Sequence, residues 1–360
     1  MLKTTPAVFA VGNNYQIMVP VTKPSLFWVE VDGETYTDSQ NGIMRSICTI
    51  HRVTVPMEIL DKAGEYTVCE REIIDRKPYF PETEETVKTT YKFYPVPMEN
   101  PRVYHVADTH NMTVEPIKAA KTFGDIDLLI LNGDIPDHSG AIENYDVIYE
   151  IIGEITKGEK PTVFSRGNHD LRGYFAEAMA EYTPNLNGNT YYTFKVGPIW
   201  GIVLDCGEDK DDSHPEYGFT VSCHEFRKRQ IDFIKEVIKS KEFEAEDIIC
   251  KMVVCHNPFT NVQKHPFDIE KEIYSKWASL LKENIKPNIM LAGHIHDCFI
   301  SEVGSEYDHL GQPCVLVVGS DKSKEYHAGC GLTIGKNSIE SVFCDSDGKV
   351  FGKTILKIED

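Results

Sequence analysis

Five short stretches of this chain place metal-binding side chains directly after apolar runs. They are Asp108-Thr109-His110, Asn132-Gly133-Asp134, Arg166-Gly167-Asn168-His169-Asp170, His256-Asn257 and Gly293-His294-Ile295-His296. Taken singly, each has an ordinary structural use, because an Asp closing a strand forms turns or caps a helix and a lone His is commonly a hydrogen-bonded structural residue. Jointly, five consecutive strand ends offering carboxylate, imidazole or carboxamide exceed what turns require, and the set points to a metal site. Oxygen and nitrogen donors without sulfur suit Mn²⁺, Fe²⁺/Fe³⁺, Co²⁺ or Zn²⁺. His294 and His296, two apart, share a face of extended chain, and in a loop both can converge on one cluster.

Such convergence needs a scaffold that brings strand ends together. Val103 to Ala107 reads as a buried strand, Val114, Ile117 and Phe123 as a helix face ended by Gly124, and Leu128 to Leu131 as a second buried strand. A longer helix follows with Ile142, Tyr145, Ile148, Ile152 and Ile155 on one side, then a strand from Thr162 to Ser165. This is a βαβαβ pattern, which calls for parallel strands covered by helices, with chemistry where strands stop. Ile231, Ile234 and Ile238 mark another helix, and Ile248 to Cys255 and Asn288 to Ala292 two more buried strands. Near the end, Ser341 to Cys344 and Val350 to Ile355 flank the hairpin turn signal Asp347-Gly348.

The ordered set D-x-H, G-D, G-N-H-D, a lone His after an apolar strand, and G-H-x-H resembles the calcineurin-like metallophosphoesterases over about residues 102 to 300. The resemblance implies an α/β, four-layer sandwich of two mixed β-sheets flanked by helices, with two metal ions at the strand ends. By position it implies Asp108, His110 and His296 on one ion, Asn168, His256 and His294 on the other, and Asp134 bridging them. A hydroxide bridging the two ions would attack the phosphorus of a phosphomonoester or phosphodiester. His169 would protonate the leaving group as general acid, with Asp170 orienting its imidazole. Asn168 and Arg166 would contact the substrate; an arginine stands there in the phosphoprotein phosphatases, but pairing of Arg166 with a nearby carboxylate stays equally open, and Arg172 is a second candidate. Purple acid phosphatases carry a tyrosine ligand three positions after the bridging Asp; here that position is Asp137, so no purple colour is expected. Asp137 and His138 otherwise read as a turn.

Residues 1–98 read in twos, as in Phe27, Val29 and Val31 or Val87, Tyr91 and Phe93, and suggest a small all-β sandwich domain preceding a phosphoesterase domain at 99–360. Leu60 to Tyr66 resembles the tyrosine corner of fibronectin type III and immunoglobulin-like domains, and the proline-rich Tyr94 to Pro101 is the expected linker. No apolar run approaches the roughly 18 residues that cross a bilayer, and no signal-peptide pattern opens the chain, so a cytoplasmic protein is expected. A formal net charge of −19 over 360 residues disfavours nucleic acid as a binding partner. The 10 cysteines are scattered without a C-x-x-C pair and read as reduced, buried residues. The acidic run Asp205 to Asp212 lacks the spacing of a calcium loop and reads as a solvated excursion, and seven histidines, His51 and His105 among them, match no motif. The expected function is metal-dependent hydrolysis of a small or medium phosphoester; a non-catalytic metal-binding scaffold on the same fold is the alternative.

Overall fold

The computed structural model describes residues 1–358. Two mixed β-sheets pack face to face. The first runs, in spatial order, Val350–Lys357, Ser338–Asp345, Tyr326–Ile334, Arg102–Val106, Leu128–Asn132, Pro161–Ser165, Ala7–Val11, Asn14–Pro20 and Ile50–Pro56. Its central strands, Arg102–Val106, Leu128–Asn132, Pro161–Ser165 and Ala7–Val11, are parallel. The second runs Tyr192–Val196, Ile199–Leu204, Cys250–Cys255, Ile289–Ala292 and Val315–Ser323, parallel from Ile199–Leu204 onward. One strand belongs to both sheets: Val315–Val318 pairs with Ile289–Ala292, and Ser320–Ser323 turns to pair with Tyr326–Gly329. At the opposite edge, Gly12 bridges to Phe194.

Side-chain alternation along the second sheet assigns its two faces. Val254, Leu291 and Val317 join the core that also holds Leu129 and Val163. Val253, Met290 and Val318 turn the other way, onto Ile234 and Trp277 of the helices Cys223–Ser240 and Lys271–Leu280. The helices Val114–Phe123 and Asp146–Thr156 cover the first sheet. The result is the expected four-layer α/β sandwich. Ile142, read as part of the longer helix, sits in a separate 3₁₀ turn, Ile142–Tyr145, that precedes it.

The N-terminal region is all-β apart from the helix Met57–Ala63, but the boundary expected at residue 98 does not separate two cores. Ala7–Val11 inserts parallel to Pro161–Ser165 and carries Asn14–Pro20 and Ile50–Pro56 with it into the catalytic sheet. All five side chains of Ala7–Val11 are buried, as a strand covered on both faces requires. The remaining strands, Val87–Lys92, Glu65–Asp75, Ser25–Val31 and Glu34–Thr37, form a small separate sheet, with Glu82–Thr83 added on Glu65–Asp75. Phe27, Val29 and Val68 of that sheet share one apolar core with Val8 and Leu128. Nor does Tyr66 make a tyrosine corner: its hydroxyl donates to the carbonyl of Gly158, 2.7 Å away and 92 residues further on, tying the small sheet to the phosphoesterase body. The proline-rich segment is a packed strap, with Val96 buried and Tyr94 N–H bonded to Glu159 O at 2.9 Å.

Removing residues 1–98 strips Pro161–Ser165 of its neighbour and opens the shared core. The truncated chain is therefore expected to yield no soluble, cooperatively folded monomer by size-exclusion chromatography and circular dichroism. A soluble fragment with a sharp unfolding transition would show that the inserted strands are dispensable.

Candidate metal centre

Each cluster residue enters the centre from the end of a strand. Asp108 and His110 follow Arg102–Val106, Asp134 follows Leu128–Asn132, Asn168 and His169 follow Pro161–Ser165, His256 follows Cys250–Cys255, and His294 and His296 follow Ile289–Ala292. The backbone there is unusual. Asp108, His110, Asp134, His294 and His296 all have φ between 43° and 68°, a left-handed conformation that non-glycine residues seldom adopt. These turns bend sharply, which lets residues two apart aim at one point. Two glycines allow the close approach: a methyl on Gly167 would overlap Asp134 Oδ1, and one on Gly293 would lie 2.5 Å from Asp108 Oδ2.

All seven expected ligands meet. Asp108 Oδ1 lies 3.3 Å from His296 Nε2, 3.6 Å from His256 Nε2 and 3.9 Å from His110 Nε2. Asp134 Oδ2 lies 3.2 Å from His256 Nε2 and 3.8 Å from His110 Nε2, between the two groups. Asn168 Oδ1 is 3.0 Å from His294 Nδ1. The outer atoms fix these ligands in place. Asp108 Oδ2 accepts from the His294 amide at 2.8 Å and from the Ser320 hydroxyl, where the shared strand passes between sheets. His256 Nδ1 donates to Asn132 O at 2.6 Å, and His110 Nδ1 to Asp137 Oδ1 at 3.0 Å, so both rings present Nε2 inward.

A cation fits this donor set. Asp108 Oδ1 and His256 Nε2 are buried, face each other, and have no hydrogen-bond partner of their own. Burial works to lower the pKa of His256, but the Asp134 and Asp108 carboxylates outweigh it and raise it to about 10. Burial would raise Asp134, yet His256 holds it down at about 2. Without metal, a proton on His256 offsets the carboxylates, and a bound ion would take that proton's place.

The catalytic and substrate-binding expectations fare unevenly. His169 stands beside the cluster, its ring edge-on to His110 at 4.5 Å. Its Nδ1 donates to Asp137 O at 2.8 Å and its Nε2 accepts from Arg172 at 3.1 Å. Asp170 does not orient that imidazole: its Oδ2 accepts from the amides of Gly167, at 2.7 Å, and Asp134, at 3.1 Å, bracing two ligand loops against each other. Burial, and then Asp134, raise Asp170 to about 7. Arg166 is engaged with Asp205, Nε to Oδ2 at 2.7 Å, and its guanidinium lies over Phe226, so it serves the pairing alternative.

The acidic run is not a solvated excursion. Asp205 and Glu208 are buried because they hold arginines. Glu208 grips Arg172 through two bonds, at 2.8 and 3.0 Å, and Asp209 Oδ2 reaches Asn168 Nδ2 at 3.4 Å. Ile199–Leu204 thus delivers a sixth strand end to the centre, a signal present in its apolar run followed by Asp205. Lys322 was also missed. It lies two residues beyond Ser320 on the same strand and so on the same face, and among the described residues it makes no ion pair. Burial lowers its pKa, while Asp108, Asp137 and Asp134 work to keep it charged.

The arrangement defines a metal-dependent phosphoesterase centre on an α/β sandwich. The chain belongs to the calcineurin-like phosphoesterase family, whose family model matches residues 101–298, more than half of its length. Its fold is similar to that of the purple acid phosphatase PPD1 from yellow lupin (Lupinus luteus) seeds, with a TM-score of 0.64 at 13% identity, over 98% of this chain and 74% of that one. It is also similar to PhoD, with a TM-score of 0.58 at 11% identity, over 98% of this chain and 88% of that one. No curated protein sequence matches the chain.

Two outcomes follow from the geometry. Gly167→Ala pushes Asp134 out of place and is expected to weaken metal retention by about 10–100-fold, the range typical of lost ligand positioning, measured as metal per chain after dialysis; undiminished metal content would show that Asp134 is not a ligand. His256 must be neutral to bind a metal and is protonated below about pH 10 in the free site, so metal affinity should rise with pH across the neutral range, by about tenfold per unit at most. Competition with a chelator at pH 6.5 and 8 measures this, and equal affinities would contradict it.

Proposed function

We propose that the chain hydrolyses phosphoesters at a two-cation centre, with Asp108, His110 and His296 on one ion, Asn168, His256 and His294 on the other, and Asp134 between them. The observation that carries the reading is the pair of buried, facing, unpartnered ligand atoms, Asp108 Oδ1 and His256 Nε2, within reach of Asp134. When bound, two such ions supply a water deprotonated near neutral pH and a clamp for phosphoryl oxygens.

The chain's own residues do the rest. Arg172 is held by Glu208 through Nε and Nη2 at the edge of the centre and turns Nη1, a permanently charged donor, toward His169, where a phosphate can meet it. Lys322 offers a second, uncommitted positive charge on the side of Ser320. His169 is placed to protonate the leaving oxygen, but at rest its Nε2 accepts a hydrogen bond from Arg172. Acting as an acid requires a second proton on that ring and release from Arg172. A substrate phosphate that accepts from Arg172 Nη1 competes for the bond to His169 Nε2 and frees that nitrogen to take a proton from solvent. Arg172, rather than Arg166, is thus the residue that couples substrate phosphate to the acid. The substrate class is a small or medium phosphomonoester or phosphodiester.

A panel of phosphomonoesters and diesters graded by leaving group tests this with Mn²⁺, Fe²⁺, Co²⁺ and Zn²⁺. His169→Ala should lose about 10²- to 10⁴-fold in rate, most for the poorest leaving groups. Arg172→Gln should lose activity and Arg166→Gln should act through stability instead. A His169→Ala enzyme as fast as the parent on poor leaving groups removes the acid from the scheme.

A further inference from the structure

Away from the phosphoesterase centre, between the 38–49 loop and the body, lies a cavity of about 970 Å³ whose lining includes Asp38, Arg45, Cys48, Arg52, Glu181 and Tyr182. Three different donor atoms converge beside it, two of them from the lining residues Asp38 and Cys48 and the third from His51 behind them. His51 Nδ1 is 2.7 Å from Asp38 Oδ2 and 3.4 Å from Cys48 Sγ, and Sγ is 3.8 Å from the same carboxylate oxygen. His51 and Asp38 are buried, and the imidazole is stacked on Phe27 with ring centres 5.1 Å apart.

A Cys-His-Asp set invites a nucleophile reading, and the geometry refuses it. A relay needs thiol and carboxylate on opposite ring nitrogens, whereas here both address Nδ1, and His51 Nε2 is 3.9 Å from the sulfur. The thiol is also poorly activated, pushed up to about 11 by burial and by Asp38.

We propose that Asp38, Cys48 and His51 form a third metal site, separate from the phosphoesterase centre, that takes a thiophilic divalent cation of the Zn²⁺ class. Ligand atoms about 2.0–2.3 Å from a tetrahedral Zn²⁺ lie roughly 3.3–3.6 Å from one another. The sulfur–nitrogen separation of 3.4 Å already falls in that range, and the imidazole–carboxylate contact opens when the ion replaces its hydrogen bond. Thiolate with imidazole selects Zn²⁺ over Mg²⁺ or Ca²⁺, and thiolate plus carboxylate neutralise its charge. Asp38 Oδ1 remains with Arg45, 3.6 Å away. The chain supplies three ligands, and the fourth position is left to water or a ligand from the cavity.

The segment that bears these residues gives the site a purpose. Residues 39–49 contain only the two-residue strands Ser39–Gln40 and Ile43–Met44, and they expose Ile43 and Ile47. Little apolar burial holds this loop. A cation shared by Asp38 at its start and by Cys48 and His51 at its end clamps the loop closed.

Sulfur distinguishes this site from the phosphoesterase centre, whose ligands are all oxygen and nitrogen. Chelator-stripped full-length protein titrated with Co²⁺ should develop a near-ultraviolet thiolate-to-cobalt charge-transfer band. That band should persist in His256→Ala and vanish in Cys48→Ser, and zinc-saturated Cys48→Ser should hold one equivalent fewer per chain than the parent with phosphoester hydrolysis retained. No variant is needed for the companion measurement, in which Zn²⁺ slows iodoacetamide labelling of Cys48, read by peptide mass mapping. Absence of the band in the parent, a band unchanged in Cys48→Ser, or labelling of Cys48 indifferent to Zn²⁺ would each overturn the proposal.

Discussion

Two carboxylates and four imidazoles crowded into a largely dry space are an unstable arrangement unless positive charge sits among them. Asp108 and Asp134 are buried, and the nearest compensation within the chain is a proton on His256. The surrounding structure maintains this concentration of donors. Left-handed turns fold the strand ends inward, glycines make room for the carboxylates, and outer hydrogen bonds, donated by Ser320 and accepted by Asn132 O and Asp137, fix which atom Asp108, His256 and His110 present. Together these features hold open a place that a cation would complete.

A second tier of charge surrounds the first. Asp205, Glu208 and Asp209 spend their negative charge on Arg166, Arg172, Lys210 and Asn168, and Arg227 is buried against the backbone carbonyls of Cys206 and Glu208. The acidic composition of the chain thus does not make its active face uniformly negative. It fixes a guanidinium at the rim in one orientation, where a flexible arginine would lose side-chain freedom on meeting a phosphate.

How much of this was legible in the sequence depended on whether the signal was local. The ligand motifs are local, because apolar run followed by donor is a pattern of a few residues, and the residues so marked do come together. The strand, loop, helix rhythm showed parallel strands covered by helices, and the resemblance carried by the ligand motifs implied the four-layer sandwich. What failed was partner choice across long separations. Ala7–Val11, an unbroken apolar run, was absorbed into an alternating region, although full burial on both faces is what such a run signifies. Nothing near Tyr66 announces Gly158 as its acceptor, and nothing beside Arg166 says that Asp205 will reach it first. The acidic run looked solvated because charge is usually exposed, and only the folded chain shows the arginines opposite it. Asp170 stands next to His169 in sequence, yet the 3₁₀ turn His169–Leu171 sends its carboxylate back toward the backbone.

The strand Val315–Ser323 is stitched into both sheets, and Ser320, where it passes from one to the other, touches a ligand of the centre. Gly12 and Phe194 form a further bridge between the sheets away from that strand, so the two are tied together in two places. The floor beneath the centre is thereby pinned to both sheets at once.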